Sequence, residues 1–160
     1  MHQTVTGQES REQLANVDEY PDTVIGCVGG SNFAGVAFPF FRDKATGKAE
    51  KDVELLAVES TACPSISKGE YLYDHGDTGR ITPLMKMYTL GHTFIPDPIH
   101  AGGLRYHGMA PLLSQMAKEK RIKVIVFNQV EALEAAVKFA KAEGLIPAPE
   151  TAHVVKAVID

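Results

Sequence analysis

Short apolar runs recur along the chain and give the first indication of its secondary structure. They occupy residues 23–28, 52–59 and 123–127. Mainly apolar runs of about four to eight residues, bounded by turn residues, are typical of strands buried on both faces, as in a parallel sheet. We therefore predict a strand over each of these segments.

Helical periodicity fills the segments between and beyond these strands. The clearest helix is predicted to begin after Asn128, a favourable N-cap, and to end before Gly144. Ser31 or Asn32 could begin another helix, which Pro39 would keep short or kink. Further helices are predicted over 8–17, 109–120 and 150–159.

The order of these elements predicts the fold class. Strands that alternate with helices indicate an α/β fold with a largely parallel sheet. Because helices cover both faces of such a sheet, we expect a three-layer sandwich. Residues 60–83 and 91–108 are rich in Gly, Pro and polar residues and are predicted to be long ordered loops. Loops of this length in a compact domain are usually functional.

Composition narrows the classes of function. The chain has 160 residues, 44% of them hydrophobic and 22% charged, as expected of one globular domain over 1–160. A net charge of −4 offers no basic surface for nucleic acid. No apolar run approaches the roughly 20 residues that a membrane helix needs. The residues after Met1 do not resemble a signal peptide, so Cys27 and Cys63 are expected to be reduced thiols in the cytoplasm.

A glycine-rich turn follows the first predicted strand and reads G-C-V-G-G-S-N-F-A-G over residues 26–35. It contains no G-x-G-x-x-G, the fingerprint of dinucleotide binding. Gly30 and Gly35 match the first part of a phosphate-binding G-x-x-x-x-G-K-[ST] loop, but Val36 and Ala37 replace its Lys and Ser or Thr. ATP or GTP hydrolysis is therefore not expected.

Two interpretations of this turn stay open on the residues alone. A small monophosphate could bind the backbone N–H groups at the start of the following helix, together with the Ser31 and Asn32 side chains. The alternative is a plain strand-to-helix turn whose glycines allow tight packing.

Other residue patterns are weaker. Ser65 and Lys68 have the S-x-x-K spacing of penicillin-recognising enzymes, but the S-D-N and K-T-G motifs of those enzymes are absent. The histidines lack metal-ligand spacing and are expected to hydrogen-bond within the two long loops. Glu150, which follows P-A-P, is either a partly desolvated carboxylate suited to proton transfer or a cap of the last helix.

Several long motifs together resemble one family. They are M-H-Q-T-V-T-G-Q-E, G-C-V-G-G-S-N-F-A-G, G-E-Y-L-Y-D-H-G-D-T-G-R-I-T-P-L, Y-T-L-G-H, H-A-G-G-L-R-Y-H-G-M-A-P and E-G-L-I-P-A-P-E-T-A-H. These motifs are similar to the tryptophan synthase beta chains, and G-G-L-R-Y-H-G-M-A-P points to their second, alpha-independent type. The resemblance runs along essentially the whole chain.

The resemblance implies a fold-type II enzyme that uses pyridoxal 5′-phosphate to condense L-serine with indole into L-tryptophan. The chain would be part of the larger domain, which binds the cofactor phosphate, in a homodimer that does not require the alpha chain. Glu150 would take part in proton transfer beside the cofactor ring, and the carbonyls of Tyr106 and Gly108 would bind a monovalent cation. The cofactor phosphate would lie on Val28, Gly29, Gly30, Ser31 and Asn32.

Two departures from the family pattern carry further expectations. The family loop usually has three consecutive glycines where this chain has Gly29 and Gly30, which would weaken phosphate binding. No His-Lys pair occurs in the chain, so the lysine of the family's H-K-x-N motif, which forms the Schiff base, is missing. We therefore expect an internal fragment, a partial domain that is inactive alone and exposes apolar surface and an open sheet edge.

The alternatives are a non-catalytic phosphate-binding or interaction module derived from the family, and another fold-type II amino-acid lyase, such as a serine or threonine dehydratase relative.

Overall fold

A computed structural model of the chain describes residues 2–160, in which helices and strands alternate. Met1, with which the predicted domain and the first motif begin, lies outside the described residues. The strands are β1 (Thr23–Cys27), β2 (Glu54–Ser60), β3 (Glu70–His75), β4 (Leu84–Thr89) and β5 (Lys123–Phe127). The helices are α1 (Thr4–Ala15), α2 (Asn32–Ala45), α3 (Ser65–Lys68), α4 (Pro111–Lys118), α5 (Gln129–Glu143) and α6 (Pro149–Ile159). A 3-10 turn spans Gly102–Leu104.

The central sheet is parallel, with the strand order β1-β2-β5. Cys27 pairs with Val58, and Ser60 pairs with Phe127, so the carboxyl ends of the strands lie along one edge. The Val28 N–H donates to the Val58 carbonyl at 2.9 Å, which extends the ladder one residue beyond β1. The three strands predicted from the apolar runs are confirmed, as is their parallel arrangement.

Helices cover both faces of this sheet. Leu55 and Ala57 of β2 point into a core formed with α2 and α4. Val58 faces the other way, where α6 packs on β1 and β2 and α5 packs on α6. The main core on the first face includes Val24, Phe33, Ala37, Phe40, Leu113 and Met116. The arrangement confirms the predicted three-layer α/β sandwich.

Local signals at the helix ends have the expected effects. The Asn128 side chain accepts the Glu131 N–H at 3.0 Å, and Gly144 ends α5 with a left-handed φ of 69°. Helix α2 runs through Pro39 for 14 residues, so this proline does not shorten it. Over residues 2–160, no helix combines the length and apolarity needed to cross a membrane.

The prediction of a single loop over 60–83 is wrong. This segment contains the short helix α3 and the strand β3, which pairs antiparallel with β4. The hairpin escaped prediction because most of the β3 side chains are exposed or half-buried, so they show no apolar run. Its strands are also joined by a long connection rather than a two-residue turn, which removes the usual hairpin signal.

Candidate functional site

The glycine loop, which we define as Val28, Gly29, Gly30, Ser31 and Asn32, lies at the carboxyl edge of the sheet. Its first residue is buried in the core, whereas the last three are exposed. The loop leads directly into α2, whose N-cap is Ser31. In open α/β sheets, ligands bind beyond the carboxyl ends of the strands, so the loop occupies the place where a ligand is expected.

The loop presents backbone donors without protein partners. Within residues 2–160, no hydrogen bond uses the backbone N–H of any residue from 29 to 34. The first bond of the helix runs from the Gly35 N–H to the Ser31 carbonyl, at 2.8 Å. The Ser31 side chain forms no cap hydrogen bond. These donors, at the positive end of a helix of 14 residues, suit an anion such as phosphate.

Gly29 and Gly30 differ in whether the structure requires glycine at their positions. A Cβ at Gly29 would lie 1.7 Å from the carbonyl oxygen of Gly103, so only glycine fits there. A Cβ at Gly30 would meet no atom within 4 Å. Neither residue has a positive φ. The glycine at 29 thus serves close backbone packing, as the plain-turn interpretation required, whereas the Cβ position of Gly30 faces open space.

Glu150 lies in the first turn of α6 and reaches the same edge of the sheet. Its Oε1 accepts the Gly103 N–H at 2.8 Å, while its Oε2 accepts no hydrogen bond from any residue in 2–160. No side chain caps α6, so the carboxylate is directed to the Gly102–Leu104 turn rather than to the backbone of its own helix. Since Gly103 also touches Gly29, the structure brings Glu150 and the glycine loop together.

Two titratable side chains beside Glu150 are held neutral. Burial raises the pKa of the Cys27 thiol, and the Glu150 carboxylate acts in the same direction. Burial lowers the pKa of His153, whose Nδ1 lies 3.0 Å from the Pro149 carbonyl. The Nδ1–H must therefore donate to this carbonyl, leaving Nε2 as a buried acceptor that no residue in 2–160 reaches.

Tyr106 and Gly108 lie further along the chain, where residues 106–109 run beside β4. The Tyr106 carbonyl accepts the Cys63 thiol at 2.9 Å. Gly108 forms an isolated antiparallel bridge with Thr89, and its carbonyl accepts no hydrogen bond within residues 2–160. Their role as cation ligands stays a prediction.

The remaining candidates have structural roles. Ser65 is buried and its hydroxyl donates to Glu59 Oε1 at 3.2 Å, so the S-x-x-K spacing does not make a nucleophile. His92 Nδ1 lies 2.6 Å from Asp74 Oδ1, and His107 Nε2 lies 2.8 Å from the His75 carbonyl. The expectation that histidines hydrogen-bond within the two segments 60–83 and 91–108 is confirmed for these rings, although His75 and Asp74 belong to a strand rather than to a loop.

Gly103 is the residue that sequence reasoning missed. The motif H-A-G-G-L-R-Y carries part of the family resemblance, but it does not indicate a role for its two glycines. A signal existed in the adjacent pair Gly102 and Gly103, which often marks close approach of two backbone segments. Gly103 approaches residues 29 and 150, which are distant from it in sequence. The motif alone therefore does not predict these contacts.

The family model and the relatives that match this chain agree with each other. The model of the pyridoxal-phosphate dependent enzymes matches residues 1–160. The tryptophan synthase beta chain 2 of Aquifex aeolicus is 55% identical over 162 aligned residues, and the tryptophan synthase beta chain of Thermococcus onnurineus is 56% identical over 161. These alignments cover 100% of this chain but only 37% and 36% of the two relatives. The chain therefore spans little more than a third of their length.

A solved structure supports the fold. The crystal structure of a T.th. threonine deaminase superposes with a TM-score of 0.66, covering 98% of this chain and 50% of its own. The sequence identity is 19%, so this likeness concerns the fold alone. The resemblance to tryptophan synthase beta chains and the fold-type II architecture, both predicted from the motifs, are confirmed.

Proposed function

Because this chain belongs to the pyridoxal-phosphate-dependent enzyme family, we propose that it provides the cofactor-phosphate site of a tryptophan synthase beta chain of the second type. The observation that carries the proposal is the row of N–H groups over residues 29–34 that donate to no residue in 2–160, with Glu150 held at the same edge of the sheet. The full enzyme would condense L-serine with indole to give L-tryptophan and water.

The residues of the site suit pyridoxal 5′-phosphate. The phosphate would lie on the backbone N–H groups of the glycine loop, and the side chains of Ser31, which makes no cap hydrogen bond, and Asn32 would add donors. When bound, the cofactor supplies an electron sink for replacing the β-substituent of an amino acid. Glu150 Oε2, which has no hydrogen-bond donor among residues 2–160, would hold or move a proton, while Oε1 stays anchored to Gly103.

The chain alone is proposed to be inactive as a synthase. No His-Lys pair occurs in its 160 residues, so the lysine of the family's H-K-x-N motif has to come from outside them. The high identity to the two tryptophan synthase beta chains favours this function over another fold-type II lyase. A non-catalytic phosphate-binding module is the second candidate, because the donors of the loop would by themselves bind an anion without catalysing a reaction.

Further properties follow from the family and are proposed with it. The full-length protein would be a cytoplasmic homodimer that needs no alpha chain. A monovalent cation would bind near the Gly108 carbonyl, which has no donor among residues 2–160, and near the Tyr106 carbonyl, which would use its second lone pair because the Cys63 thiol donates to the first.

Amide NMR with two matched ligands tests the phosphate site. Pyridoxal 5′-phosphate should shift the N–H resonances of residues 29–34, whereas pyridoxal, which has the same aldehyde and no phosphate, should leave them unchanged. Replacing Ser31 and Asn32 by alanine should weaken the effect, and Gly102→Ala, at an exposed glycine whose Cβ would meet no atom, is the control. Equal shifts with both ligands, or shifts elsewhere only, would contradict the proposal.

A further inference from the structure

The Gly102–Leu104 turn lies between the glycine loop and Glu150 and contacts both. On one side, the Gly103 N–H donates to Glu150 Oε1 at 2.8 Å. A Cβ at Gly103 would stand 3.1 Å from that oxygen, 3.2 Å from Cγ and 3.4 Å from Cδ, so the carboxylate lies directly against the glycine Cα. Glycine at this position lets the carboxylate come this close.

On its other side, Gly103 touches the glycine loop. The hydrogen of Gly29 that takes the place of a side chain points at the Gly103 carbonyl, because a Cβ there would lie 1.7 Å from its oxygen. The next closest atoms are the Gly103 carbonyl carbon, at 2.8 Å, and Leu104 Cα, at 3.2 Å. These contacts are between backbones, so no side-chain rotation can absorb a displacement of either segment.

The turn itself is held firmly. The Gly102 N–H donates to the His100 carbonyl at 3.0 Å, and the Leu104 N–H donates to the Ala101 carbonyl, also at 3.0 Å. The side chains of Ala101 and Leu104 are buried. A movement of the loop at Gly29 would therefore displace the turn as a unit, and with it the donor that Glu150 accepts.

We propose that Gly103 is a positioning residue that fixes the Glu150 carboxylate relative to the glycine loop and links the state of that loop to proton binding by Glu150. The N–H donated to Oε1 stabilises the charged carboxylate, so moving Gly103 changes how readily Glu150 takes up a proton. Because such coupling is reciprocal, protonation of Glu150 would in turn affect the loop. The catalytic meaning of the link rests on the proposed function, but the link itself does not.

Cys27, from β1, and His153, from its own helix, are titratable groups whose pKa responds to the charge of Glu150. Burial keeps the thiol protonated and the imidazole neutral near pH 7. Neither supplies a charge that would mask the effect of the Gly103 N–H at that pH. Titrations should nevertheless follow His153 in parallel, since its protonation would add a positive charge one turn from Glu150.

The pH dependence of amide resonances in the 160-residue chain tests the first half of the link. The Gly103 N–H resonance should move as Glu150 ionises, and Glu150→Gln should abolish that movement without disturbing the fold. A Gly103 resonance that follows pH equally in the Glu150→Gln variant, or does not move in the unaltered chain, would overturn the proposal.

Two glycine-to-alanine variants separate positioning from mere packing. Gly103→Ala should push the carboxylate away from the residue-103 N–H, so the movement of that resonance with pH should shrink. Gly102→Ala, in the same turn but with open space at its Cβ, should leave that movement unchanged. Equal losses in both variants, or none in Gly103→Ala, would contradict the role of Gly103.

The second half of the link is tested from the loop. Binding of inorganic phosphate should move the Gly103 resonance together with those of residues 29–34. If the loop resonances respond and the Gly103 resonance does not, the link is wrong and the phosphate site stands. If the loop fails to respond while Gly103 still follows Glu150, the phosphate site is wrong and the positioning of Glu150 stands.

Discussion

Gly29→Ala should be among the most damaging single-methyl changes in the chain. The added Cβ would lie 1.7 Å from the Gly103 carbonyl oxygen, half of the 3.4 Å at which ordinary contacts begin. The atoms that would have to move belong to two backbone segments, one fixed by β1 and the other by buried Ala101 and Leu104. The overlap therefore has to be relieved by separating the loop from the turn.

The expected cost follows from the size of this overlap. Overpacking that forces backbone shifts costs about 1–3 kcal/mol, and a backbone-to-backbone clash belongs at the upper end, about 3 kcal/mol. For a chain of this size, this corresponds to a fall in Tm of roughly 6–12 °C. Gly30→Ala adds the same methyl to the next residue, where it meets no atom within 4 Å. That variant should stay within about 0.5 kcal/mol of the unaltered chain.

Urea unfolding followed by circular dichroism measures both variants against the unaltered chain at one pH. The slope of the unfolding free energy with urea should be the same in all three proteins, so that the midpoints report stability alone. Equal losses in Gly29→Ala and Gly30→Ala would show that the cost comes from loop conformation rather than from contact with Gly103. A stable Gly29→Ala variant would refute the packing of the two segments described above.

Two further predictions concern buried side chains. Because burial lowers the pKa of His153 below its ordinary 6.5, the unfolded chain binds more protons, so stability should fall as the pH drops below about 6.5. His153→Leu should reduce the dependence of the unfolding free energy in urea on pH below 6.5. The control variant His100→Gln, at an exposed histidine, should leave this dependence unchanged. An unchanged pH dependence in His153→Leu would contradict the lowered pKa of His153. Burial raises the pKa of the Cys63 thiol from 9.0 to about 11, so at pH 8 it should react with iodoacetamide about 100-fold more slowly than an unperturbed thiol. Mass spectrometry of the alkylated peptide, with urea-unfolded protein as the control, measures this, and equal rates in folded and unfolded protein would disprove it.

Features encoded locally were predictable from the sequence. The strands β1 and β5 lie within the predicted segments because buried parallel strands need continuous apolar residues, and α5 is framed by Asn128 and Gly144 as capping chemistry requires. The hairpin of β3 and β4 was missed because β3 is mostly exposed or half-buried, and because its antiparallel pairing with β4 across a long connection leaves no local signal. The glycine loop can be recognised from its run of small residues after a predicted strand. The requirement for glycine at 29, however, comes from its contact with Gly103, which no local sequence pattern reveals.

The difference between Gly29 and Gly30 bears on the family's third glycine, which this chain lacks. Anion binding at such a loop depends on backbone N–H groups, and residues 29–34 still present six that no residue in 2–160 accepts, so the shorter loop keeps a set of donors. What glycine adds is clearance, which Gly29 uses against Gly103 and Gly30 leaves open towards solvent. The shorter loop should therefore alter where the phosphate sits more than whether it binds. Inserting one glycine after Gly30 should then change the pattern of N–H shifts caused by phosphate over residues 29–34. An unchanged pattern with a several-fold gain in affinity would show instead that the missing residue had removed a donor.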